Sequence, residues 1–172
     1  MSKNEKQTRL RISEKEVQGF QNFRDWVNQV NLTTTSISST PYGYHFDADM
    51  FLQGCRHHRV EIKYMPTKVY DNYDYVTLNF EKPLQLPSAG PEKGCPADMY
   101  YIQYADNVVV TTSRDNIDRF IKDYGLCAFQ VHTVNKTEMD PSNGTEDQIQ
   151  LAIPHKEAGN YYKLYKGTTR VK

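Results

Sequence analysis

The stretch Phe46-Asp47-Ala48-Asp49-Met50-Phe51-Leu52-Gln53-Gly54-Cys55-Arg56-His57-His58-Arg59-Val60-Glu61-Ile62-Lys63-Tyr64 decides how this chain is read. Side chains alternate across a strand. The first half therefore sets Phe46, Ala48, Met50 and Leu52 on one face and Asp47 and Asp49 on the other. The second half separates Val60, Ile62 and Tyr64 from Arg59, Glu61 and Lys63 in the same way. The link between them is short and holds Gly54, which predicts an antiparallel hairpin. Such a hairpin gathers three carboxylates and a lysine on one face.

A one-residue slip would invert the faces, and two registers keep apolar residues opposite apolar ones. A loop of Gly54-Cys55-Arg56 sets Asp49 opposite Glu61 and Asp47 opposite Lys63, whereas a loop of Gln53-Gly54-Cys55 sets Asp47 opposite Glu61. Carboxylates that face each other repel and weaken a sheet. A divalent cation between them reverses that cost, because hard ions such as magnesium are held by one or two carboxylates plus waters and substrate phosphates. Beside a metal-bound water and a scissile phosphate, Lys63 would orient the attacking water and offset developing charge.

Asp49 and Asp47 precede Glu61-Ile62-Lys63 by 12 and 14 positions. That order resembles the Asp…Glu-x-Lys signature of the PD-(D/E)XK nuclease superfamily, which includes restriction endonucleases, Holliday-junction resolvases and small phage nucleases. Around the motif, an amphipathic helix, a strand pair, and then a further strand and helix follow the order expected of that fold. The leading Pro-Asp of the signature is missing, since Phe46 or Ala48 precedes the aspartate. The resemblance implies a restriction-endonuclease-like α/β (α+β) fold, with a central mixed β-sheet flanked by helices. It also implies hydrolysis of DNA with magnesium or manganese as cofactor. By the same resemblance Asp49, followed by Met50-Phe51-Leu52, is the favoured ligand and Asp47 the alternative. Glu61 and the Ile62 backbone carbonyl complete the metal set, Lys63 positions water, and Lys82 resembles a substrate-contacting lysine. In some members of the family a glutamate of the first helix joins the site, a role open to Glu16.

At 172 residues the chain is read as a single domain, long enough to bury a core without staples. It holds 13 Tyr and 7 Phe against an apolar fraction of 38%, so bulky amphipathic side chains supply much of that core. Three cysteines, Cys55, Cys95 and Cys127, form no C-x-x-C pair; neither a disulfide framework nor a zinc site is indicated, and a reducing cytosol fits. No run of residues reaches the length of a membrane span. The 21 basic and 21 acidic side chains cancel, which argues against a protein that coats nucleic acid indiscriminately. An enzyme needs only local positive potential.

Along the chain, residues 1–12 lack apolar periodicity and read as a mobile arm. Ser13-Glu14-Lys15-Glu16 reads as a capping box opening a helix to about Val30. Val17, Phe20, Phe23, Val27 and Val30 form its apolar stripe, with Trp26 beside it. Leu32 to Thr40 suits a strand. Met65 to Tyr75 is too polar for a core element, and its tyrosines either stack on bases or cover a sheet edge. Val76 to Leu78 reads as a short strand, residues 80–86 as a brief helix, and residues 87–97 as a loop. Two strands, 99–104 and 108–112, turn at Ala105-Asp106-Asn107. Ser113 caps a helix that Gly125 stops. Residues 126–133, 148–153 and 161–165 have strand character, with a polar loop at 135–146, and Cys127 reads as an inert core residue. His57 and His58 point to opposite faces of a strand, so they do not suit one ion.

The chain is thus read as a metal-dependent deoxyribonuclease with DNA as its partner, and a homodimer would set two sites on two strands. The competing reading is a non-enzymatic interaction module, viral or otherwise, binding nucleic acid or protein, whose hairpin charges form a surface salt-bridge cluster in which Asp47 opposite Lys63 is a cross-strand ion pair worth under about 1 kcal/mol.

Overall fold

The computed structural model describes residues 3–30, 34–39, 48–52, 56–80, 97–135 and 145–172. Helix α1 (Lys3–Gln29) is followed by strands β1 (Thr34–Ser39), β2 (Ala48–Leu52), β3 (Arg56–Met65) and β4 (Tyr75–Phe80). Then come β5 (Met99–Tyr104), β6 (Val108–Ser113), α2 (Arg114–Tyr124), β7 (Phe129–Asn135), β8 (Thr145–Pro154), β9 (Lys163–Lys166) and β10 (Thr169–Arg170). Among the described residues ten strands form two sheets: a mixed seven-stranded sheet in the order β1-β2-β3-β5-β6-β9-β10, and a three-stranded antiparallel sheet in the order β4-β8-β7. This is an α+β architecture with a mixed central sheet and, among the described residues, two α-helices.

Two apolar layers cover the two faces of the large sheet. On one face Phe23, Trp26 and Val27 of α1 pack on Ala48, Met50, Val60, Tyr101 and Val109. On the other, Ile117 and Phe120 of α2 share a layer with Tyr100, Ile102 and Val110 and with Val76, Leu78, Leu151 and Ile153 of the small sheet. Fully burying each such side chain contributes about 1.5–3 kcal/mol. Strand β6 is covered on both faces, and its Val108-Val109-Val110-Thr111-Thr112 run is buried throughout. Such an unbroken run marks a strand with no solvent face.

Several expectations hold. The 99–104 and 108–113 strands pair antiparallel, with Asn107 at φ 61° in their turn. Ser113 caps α2 by accepting from the Asn116 N–H at 3.2 Å, and Gly125 ends that helix at φ 59°. Others are corrected. Residues 3–12, read as an arm, belong to α1: the stretch holds no Gly or Pro and is rich in Lys, Glu, Gln and Arg, good helix formers. Ser13 and Glu16 therefore lie inside the helix, and the capping box does not operate. Val17 is 53% exposed, so the buried stripe begins further along. Cys127 is exposed, because a 3-10 turn over Gly125–Ala128 sends Ala128 inward instead. Tyr70, in the segment judged too polar for the core, is buried, and its hydroxyl meets that of Tyr162 at 2.5 Å. The readings at Asp47, Lys82, the 80–86 helix and most of the two long loops lie outside the described residues. No helix among the described residues is long and apolar enough to cross a membrane.

Candidate functional site

The hairpin forms, and it takes the second of the two registers. Ala48 pairs with Val60, Asp49 with Arg59, Met50 with His58, Phe51 with His57 and Leu52 with Arg56. Asp49 is thus directly opposite Arg59, not Glu61, and Leu52 pairs with Arg56, the register under which the sequence leaves Gln53-Gly54-Cys55 between them and sets Asp47 across from Glu61 rather than Lys63. The reason is electrostatic as well as steric: an aspartate opposite an arginine is favourable, whereas Asp49 opposite Glu61 is not.

Alternation from Val60, which packs toward α1, places Asp49, His57, Arg59, Glu61 and Lys63 together on the face turned away from α1. Asp49 and Glu61 are diagonal neighbours on that face, a spacing of about 7–8 Å between Cα atoms that longer side chains can span. Asp49 Oδ1 is hydrogen-bonded to His57 Nε2. The His57 ring stacks on Phe51, with centroids 4.7 Å apart and planes 14° apart. His58 sits opposite Met50 and faces the other way, as the alternation requires. Ile62 is in register with Tyr101 of β5, and its side chain packs half-buried in the α1 layer.

Lys63 lies at the junction of the two sheets. Its Nζ donates to the Thr77 carbonyl of β4 at 3.3 Å. Strand β4 is an edge of the small sheet, so the ammonium satisfies an acceptor on that edge. Burial, and after it the positive charges of Lys68 and Lys15, push the Lys63 amine down to about 8. Burial disfavours the charged form of a lysine, and like charges nearby act in the same direction.

Beside this face is a cluster that the sequence did not single out. Asp98 accepts from the Arg59 backbone N–H at 2.9 Å and from Arg59 Nε at 3.2 Å. Its other oxygen accepts from Arg59 Nη2 at 3.3 Å and from Arg114 Nη2. Its backbone is held on both sides too, with its N–H donating to the Arg59 carbonyl and its carbonyl accepting from the Arg114 N–H. Burial pushes the Asp98 carboxyl up, but the hydrogen bonds from Arg59 and the charges of Arg59 and Arg114 outweigh it and hold the group below its ordinary value. No local signal in the sequence marks it, because the cluster is set by strand register: Met99 pairs with both Val60 and Ser113, which sets Asp98 between Arg59 and Arg114.

Among the described residues, no three His, Cys, Asp or Glu side chains are grouped closely enough to hold a metal ion. Magnesium asks for less than that, since one or two carboxylates suffice when waters and substrate phosphates complete its shell. Asp49 and Glu61 share one face of the hairpin, and Asp49 is already bonded to His57 there. No family model, curated protein or solved structure matches the chain.

Proposed function

We propose that this protein is a divalent-metal-dependent nuclease hydrolysing DNA phosphodiester bonds at the β2–β3 hairpin. The observation that carries the reading is the placing of Glu61 and Lys63 on one face of a central strand, with the Lys63 amine lowered to about 8. An amine titrating near neutrality can hold or release a proton where an ordinary lysine cannot. The element order also supports a PD-(D/E)XK-like fold: α1 comes first, β2 and β3 carry the motif, and β5 and α2 follow, with β5 beside β3.

In this reading Glu61, with Asp47 or Asp49 and the Ile62 carbonyl, holds magnesium or manganese. Bound there, the ion supplies an activated water and neutralises charge on the phosphate oxygens. Lys63 orients the attacking water, and its contact with the Thr77 carbonyl fixes the end of its flexible stem. Arg59 is held by its ion pair with Asp98 and is given no part in this step.

One observation favours the interaction-module reading. Asp49 already has His57 as a partner, the arrangement expected of a surface ion-pair cluster. Digestion of a mixed panel of nucleic acids, with magnesium or manganese against a chelator, separates the two. Metal-dependent cutting that Glu61→Gln abolishes is the expected result. If no substrate is cut under any metal condition, the nuclease reading falls and the interaction module takes its place.

A further inference from the structure

Thr77, whose carbonyl receives Lys63, also lines an open depression of about 330 Å³ on the small sheet. Exposed Tyr73 and Tyr75 flank it, at 43% and 46% of their full exposure, while buried Ala152 and half-buried Thr77 back it. Asn72, Asp74 and Gln150 contribute amide and carboxylate groups to its lining, the groups that hydrogen-bond to the edges of a base. The Lys68 ammonium stands 5.9 Å from the centroid of the Tyr73 ring. The depression therefore combines aromatic faces and hydrogen-bonding edges, with Lys68 at the Tyr73 ring and the candidate catalytic Lys63 at the Thr77 carbonyl.

We infer that this depression binds one unpaired nucleotide of a single-stranded DNA segment, with its base against Tyr73 or Tyr75 and its phosphate at Lys68. The inference rests on the nuclease reading and names the form of its substrate. The argument is one of access and charge. A base within a duplex is stacked on both faces and cannot present either one to a tyrosine, whereas an unpaired base can, and every base has such a face. An anion beside Lys63 and Lys68 relieves the repulsion between two neighbouring ammonium groups. Thr77 lines the depression and its carbonyl receives Lys63, so the depression and the candidate site share this residue.

The test is fluorescence anisotropy with a labelled single-stranded oligonucleotide and a blunt duplex of the same sequence, in chelator so that nothing is cut. Wild type should prefer the single strand. Tyr73→Ala combined with Tyr75→Ala should weaken single-strand binding by about tenfold or more and leave duplex binding unchanged. The double Phe variant should bind as wild type, because the ring face and not the hydroxyl carries the contact. Lys68→Ala should lower the salt dependence of single-strand binding by about 0.7 in log–log slope. A double Ala variant that melts like wild type and binds single strands equally well overturns the inference, as does a Phe variant as weak as the Ala one. The two proposals fail separately. Tyrosine-dependent single-strand binding without metal-dependent cutting removes the nuclease and keeps the depression; cutting indifferent to Tyr73 and Tyr75 does the reverse.

Discussion

Lys63 is the residue whose titration reports most directly on the candidate site. Its folded-state value is depressed from 10.5 to about 8, so between those values the unfolded chain binds more protons than the folded one. Stability then rises with pH across that window. Below about pH 8 the folded state carries the full cost of burying the ammonium; above it the cost is progressively relieved. Lys63→Met removes the group, so wild type should gain on the variant by about 2 kcal/mol between pH 8 and pH 10, measured by urea unfolding at both. A difference independent of pH would show that the amine is not held where its contact with Thr77 places it. Asp98 works in the opposite sense. Its depressed carboxyl contributes stability above its unfolded value and loses it as pH falls through the folded one. Asp98→Asn should cost about 2 kcal/mol at pH 7, because two arginines lose the charge between them and the Arg114 Nε is already buried without a hydrogen-bond partner. The deficit should shrink as pH falls below the ordinary aspartate value and the carboxyl takes up its proton. Asp98 was illegible in the sequence for a physical reason: an ion cluster between Arg59 and Arg114 depends on which strands are neighbours, and local periodicity carries no such information.

At the scale of elements, local signals were the legible ones. The β5–β6 hairpin, the Ser113 cap and the Gly125 stop were all readable, because each is decided by residues within one turn of one another. The hairpin was readable as a hairpin but not in its register, which two loops satisfied equally until Asp49 was seen opposite Arg59. That outcome sharpens the metal prediction. With the Gln53-Gly54-Cys55 loop, Asp47→Asn should reduce the manganese-induced rise in melting temperature more than Asp49→Asn does, as read by thermal unfolding with and without the ion. An ion at a hundredfold excess over its dissociation constant contributes about 2.7 kcal/mol, a rise of several degrees for a domain of this size. No rise in wild type would remove the metal site. A second prediction concerns how α1 meets β3. A Cβ on Gly19 would stand 3.1 Å from Tyr64 Cβ and 3.4 Å from Ile62 Cγ2, so the helix lies as close to the strand as a missing side chain allows. Gly19→Leu improves helix propensity by about 1 kcal/mol but forces the two elements apart. The net expected result is a loss of about 2 kcal/mol in denaturant unfolding.

For the whole molecule, the small sheet is what the sequence did not disclose. Its strands 75–80, 129–135 and 145–154 each have strand character, yet nothing in the pattern says that they leave the large sheet and pair with one another. The two apolar layers lie on opposite faces of the same β3, β5 and β6 strands, so neither can come apart without exposing the backbone of the other. The single Trp26 sits in the α1 layer, with its Nε1 donating to the Gly167 carbonyl at 2.9 Å. Its fluorescence and the far-ultraviolet circular dichroism should therefore lose signal at the same urea concentration. Separate midpoints would mean that the layers unfold independently. The β4–β8 pairing has a consequence for the newborn chain. Tyr75 meets Pro154 and Phe80 meets Ile149, so β4 leaves the ribosome long before its partner has been made. During that interval Val76 and Leu78 have no sheet to enter, and the emerging polypeptide presents an unmatched strand to any neighbour. Closing so long a loop is slow, and refolding from denaturant should take milliseconds to seconds.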